Sequence, residues 1–90
     1  MTTPVFIEVP FELSLTAART DALFASALQR SDEPNSEQVR KAIGVVVKRV
    51  GFRGVVALVA QEFGDHPEAA VDRMRWARSV VGWTYTASSR

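Results

Sequence analysis

Residues 64–83, GDHPEAAVDRMRWARSVVGW, carry the broadest apolar face in the chain. Wound at about 100° per residue, Ala69, Trp76, Val80 and Trp83 form one stripe. Ala70, Met74, Ala77 and Val81 form the stripe beside it, Arg73 falls between the two, and Asp72, Arg75, Arg78 and Ser79 lie opposite. Three features mark the start. Gly64 takes positive φ without a Cβ penalty and suits a helix end. Asp65, with Glu68 three residues on, has capping-box spacing. Pro67 falls in the first turn, where its missing N–H costs nothing. The pattern predicts a helix over 66–82. Its apolar arc exceeds the ~100° that faces a single core, so a second neighbour is expected.

The rest of the chain reads as follows. In PVFIEVPFEL, residues 4–13, Val5, Ile7, Val9 and Phe11 alternate with Phe6, Glu8 and Glu12. Period two with β-branched residues predicts a strand over 5–9, ended by Pro10. A helix is predicted over 14–30, capped by Ser14 or Thr16, with Ala17, Phe24, Ala27 and Leu28 inward and Leu23 alongside. SDEPNS at 31–36 is a turn by composition. The next helix, 36–50, has Asn35 as cap and Gln38 in the capping-box position. Its face is Val39, Ala42, Ile43, Val46, Val47 and Val50. Gly51 stops it, and GFRG makes a turn. Residues 54–63 are apolar nearly all round, which predicts a short, central, buried helix. TYTASSR, from Thr84 to the end, reads as a frayed tail. The fold class expected is therefore mainly α: one small four-helix domain over 1–90 with a short N-terminal β-strand.

Composition narrows the function. The chain has 90 residues, no cysteine and a net charge of +1. A disulfide framework and thiolate chemistry are excluded. With no leader-like segment and no apolar run near ~18 residues, a cytoplasmic protein is expected. Charge is split: five acids face two arginines over 1–36, and nine bases face five acids over 37–90. Nine arginines against two lysines, among many Ala and Val, point to a GC-rich bacterial genome.

Catalysis finds little support. His66 is the single histidine. Glu62, Asp65 and Glu68 are near it, but no HxxxH or cysteine accompanies them, and two of these acids are assigned to capping. No metal, no cofactor and no catalytic residue is assigned. A chain this short is also expected to lack the depth for a typical pocket of ~300 Å³ or more.

Two DNA-binding patterns are approached. Ala60, Phe63, Gly64 and Ala70 fall where a helix-turn-helix has a small residue, an apolar residue, the turn glycine and an apolar anchor. Asp65 and Arg73 depart from that pattern. The order strand, helix, helix over 5–50 resembles ribbon-helix-helix repressors, but the outward strand residues, Phe6 and Glu8, are not usual base readers. The leading expectation is a non-catalytic protein–protein interaction module, a homodimer or an adaptor for a small protein partner. Its interface candidates are Val5, Ile7, Val9, Arg73, Trp76, Val80 and Trp83. The alternative is a small DNA-binding regulator contacting nucleic acid through Arg53, Arg75 and Arg78.

Overall fold

The computed structural model describes residues 11–87, and the side chains of residues 15–86. The expected strand, with Val5, Ile7 and Val9, lies outside the described residues. Within them the protein is helical. Helix α1 spans Phe11–Ala25, a 3-10 turn spans Arg30–Asp32, α2 spans Ser36–Asp65 and α3 spans Pro67–Ala87. Each helix packs against the other two. None of them is long and apolar enough to cross a membrane.

Where local chemistry decides, the structure follows the sequence. Asn35 caps α2. Its Oδ1 accepts from the Gln38 N–H at 2.8 Å, and Gln38 Oε1 accepts from the Asn35 N–H at 2.8 Å. Two orphan donors are thereby satisfied reciprocally. Val39, Ile43 and Val46 then point into the core, one helical turn apart. Ala42 and Val47 are half-buried beside them, and Val50, at the end of the expected face, is exposed.

Among the described residues three helices replace the expected four. Gly51 does break helical geometry, at φ 71° and ψ 170°. That region is essentially reserved for glycine. Yet the helix resumes at once, so GFRG is an elbow inside α2 rather than a turn between helices. The two glycines serve different ends. At Gly51 an added Cβ meets nothing within 4 Å, so only backbone conformation demands glycine there. At Gly54 a Cβ would sit 2.6 Å from Val50 Cβ, so there glycine lets the two limbs approach.

The second limb, residues 52–65, is not the central buried helix its composition suggests. Val55 is buried, and Val59 and Phe63 pack on the core beside it. Val56 and Leu58 remain exposed. The all-round apolar pattern arises because one stripe packs inward while the rest faces out.

The other boundaries also move. Helix α1 starts at Phe11 and ends at Ala25, not 14–30. Ala22, Leu23 and Phe24 are its core residues, while Ala17 and Ala27 are exposed. Asp65 does not cap α3. It is the last residue of α2, and Gly64 is helical beside it. The single joint residue is His66, whose N–H reaches Glu62 O at 2.7 Å and whose carbonyl accepts from Ala70 N at 2.8 Å. One residue thus ends α2 with its N–H and opens α3 with its carbonyl. Helix α3 runs on through Ala87, so the expected tail is helical to that point. Thr84 is fully buried, and Tyr85 lies 3.8 Å beneath the Arg19 guanidinium.

The glycines give a direct test. Gly51→Ala destabilises by about 1–3 kcal/mol through backbone strain alone, and Gly54→Ala by about 1–3 kcal/mol through crowding against Val50. Gly44→Ala stabilises by about 0.5–1 kcal/mol, because Gly44 is an exposed helical position with open space around it. Urea unfolding midpoints measure all three. An unchanged midpoint for Gly51→Ala refutes the elbow.

Candidate interaction surface

The surface is built around the end of α1. Its last carbonyls lack intrahelical partners. Ser26 begins the turn away: its hydroxyl donates to Leu23 O at 2.7 Å and accepts from Leu28 N at 3.2 Å. The Arg73 guanidinium, reaching from α3, takes four carbonyls in and just beyond this last turn. Nε donates to Phe24 O at 2.8 Å, and Nη2 donates to Ser26 O at 2.9 Å, Leu28 O at 2.8 Å and, more weakly, Leu23 O at 3.4 Å. The guanidinium carbon lies 5.1 Å from the Trp76 ring centroid and 5.8 Å from that of Phe24. Phe24 in turn stacks on Phe63 at 5.7 Å. Burial pushes the pKa of Arg73 below its ordinary value, and the Glu62 carboxylate opposes that shift. Arginine nevertheless stays charged, and its positive fork suits the negative end of the α1 dipole.

Held in this way, residues 25–28 form one wall of an open groove of about 570 Å³. The facing wall is the first limb of α2, through Lys41, Ala42, Val45, Val46 and Arg49. Val50 and Leu58 close it near the elbow. A second depression of about 600 Å³ continues past Leu58 to Gln61, Glu62 and Arg73, sharing Ala25, Ser26 and Ala27. Both exceed ~300 Å³, yet they are open grooves and not the deep pocket that so short a chain is expected to lack. Three packed helices meeting around a kink cannot all touch along their lengths, and the elbow holds the walls apart. Val45 is 50% exposed and Leu58 38%. Phe52 and Val56, one turn apart on the second limb, are 52% and 59% exposed but line neither depression.

The expected interface residues separate. Trp76 and Val80 are buried in this chain's own core, whereas Trp83 is 44% exposed. The stripe on α3 is thus no continuous free face. Its extra width is absorbed by α1 and α2 together, with Arg73 turned inward to backbone carbonyls rather than outward to an interface. Arg53, Arg75 and Arg78 are all exposed. Arg75 pairs with Asp72 at 3.7 Å, and Arg78 stabilises the half-buried carboxylate of Asp21. His66 Nδ1 lies 3.4 Å from Glu62 Oε1, with both side chains exposed. Among the described residues no three His, Asp or Glu side chains converge on one point. Of the groove residues, Val45 and Leu58 carry no individual expectation from the sequence, and Val50, expected on the inward face of its helix, is exposed. Their signal is the surplus of apolar residues on α2 beyond those one buried stripe can use.

The chain matches no protein-family model, no curated protein and no solved structure.

Two stability measurements probe this region. Lysine offers a point charge where four spread carbonyls need a fork. Arg73→Lys therefore costs about 2 kcal/mol in urea unfolding, since hydrogen bonds to charged groups contribute roughly 1.5–3 kcal/mol. An unaltered midpoint would show that the fork does not hold α1. The second concerns Asp21, whose carboxyl pKa is raised by burial, with Arg78 opposing. A carboxyl raised on folding favours the folded state when protonated, and that contribution is lost as pH rises through the folded pKa. Asp21→Asn is thus expected to melt above the parent protein at about pH 7, with the gap closing at about pH 3, below the ordinary carboxyl range. A gap that widens on acidification contradicts the assignment.

Proposed function

We propose that this chain is a non-catalytic protein–protein interaction module whose contact surface is the groove at the elbow of α2. The carrying observation is the run of exposed apolar side chains there, Val45, Val50 and Leu58, on a helix that also buries a full apolar stripe. Exposed apolar residues are ordinary when scattered, whereas a contiguous, concave set rimmed by polar groups marks a contact site. Among the described residues Ser26 is the only hydroxyl lining the groove, and both its donor and acceptor are spent on backbone.

The symmetric dimer through a tryptophan stripe draws less support, because only Trp83 of the pair is exposed. Nucleic-acid binding also draws less. Two of its three arginines face carboxylates, and the joint before α3 is one residue long rather than a helix-turn-helix turn with glycine at its centre.

Site-specific photocrosslinking tests the reading. A photoreactive amino acid at Val45 is expected to give protein adducts in cells of the source organism, to a second copy or to another polypeptide. The same group at Arg75, on the opposed surface of α3, is expected to give few. Adducts confined to the Arg75 position overturn the proposal. So does a duplex-DNA shift that is steeply salt-dependent and lost in an Arg75→Ala, Arg78→Ala variant.

A further inference from the structure

Resting on that interaction reading, the charge of the groove specifies its partner: we propose that it takes an amphipathic helix whose apolar anchors are flanked by carboxylates, laid against Lys41 and Arg49. Three observations converge. The groove's interior is apolar, supplied by Val45, Val46, Val50 and Leu58. Among the described residues its lining contains two cations, Lys41 and Arg49, and no acid. Neither cation forms an ion pair with another described residue, although acids elsewhere on the surface do pair. An apolar trough with two uncompensated positive charges is complementary to an apolar stripe bordered by Asp or Glu.

The secondary structure of the partner follows from the walls. Both limbs of α2 hold their own backbone amides in helical bonds, so the groove offers no sheet edge to which a strand could be added. A helix, whose backbone is satisfied internally, asks only for side-chain burial, and anchors at i, i+3 or i+4, and i+7 fit a trough between helices. The groove also lies open to solvent along its length. That suits a helix covering it from outside better than a lone acyl chain, since small-molecule sites enclose most of their ligand. The neighbouring depression carries one acid and one cation, Glu62 and Arg73. The attraction for carboxylates therefore comes from Lys41 and Arg49, spaced along the first limb of α2.

The test uses the full chain and two synthetic helical peptides. Both carry leucines at i, i+3, i+4 and i+7; one has glutamates flanking them and its twin has lysines. Fluorescence anisotropy gives affinities, and amide chemical shifts give location. At about 50 mM salt the glutamate peptide is expected to bind roughly tenfold tighter than its twin. The preference is expected to fade at about 500 mM salt as the exposed pairs are screened. Shifts are expected at Val45, Val50 and Leu58. A Lys41→Glu, Arg49→Glu variant is expected to reverse the order, and Leu58→Asn to weaken both peptides. All three positions are exposed, and circular dichroism checks that the fold is kept. If both peptides bind equally and Leu58→Asn weakens them, the acidic partner is refuted and the interaction module stands. If neither binds at about 1 mM, or the shifts fall outside the groove, the interaction reading falls with it.

Discussion

One guanidinium governs the end of α1. Arg73 stands between two aromatic rings and donates to carbonyls of residues 23, 24, 26 and 28. Buried carbonyls without partners are costly, and a buried charge without partners is costlier. Each removes the other's penalty here. The same contact fixes α3 against α1, presses Phe24 onto Phe63 of α2, and sets the course of residues 25–28. The groove's wall is therefore a by-product of helix capping. A surface for binding and a device for closing a helix are made of the same atoms.

The legibility of this fold in its sequence depends on how far apart the deciding partners lie. The Asn35 and Gln38 exchange spans three residues, and the spacing alone reveals it. The periodic face of Val39, Ile43 and Val46 is equally local. The end of α1 is not, because helical pattern continues through Leu28 while the group that stops the helix is 45 to 50 residues downstream. Asp65 shows the converse error. It has every local qualification for a cap, but α2 runs on through it and the joint falls one residue later, at His66. Trp76 and Trp83 occupy one stripe by period and differ in burial, because the packing covers the middle of that stripe, Trp76 and Val80, and leaves Ala69 and Trp83 at its two ends exposed.

The candidate site was less legible than the fold. An all-round apolar segment such as 54–63 reads as buried, since burial is the common fate of such composition. The elbow changes that outcome. By turning the second limb, Gly51 allows only Val55, Val59 and Phe63 to reach the core and leaves Leu58 over the groove. A single backbone dihedral, available to glycine because it lacks a Cβ, converts core-type sequence into surface.

The separation of Arg73 from α1 also bears on the order in which the protein can be completed. A chain leaving the ribosome presents α1 and the following turn well before residue 73. During that interval the last carbonyls of α1 have water as their partner, and a 15-residue helix by itself is marginal. Helix α1, made before α2 and α3, is thus among the last to be finished. Its C-terminal boundary, and with it the shape of the groove, comes into being when the third helix docks. Synthesis cut short within α2 leaves the groove's apolar floor without its wall, and with it a segment whose natural fate is capture by chaperones or proteases.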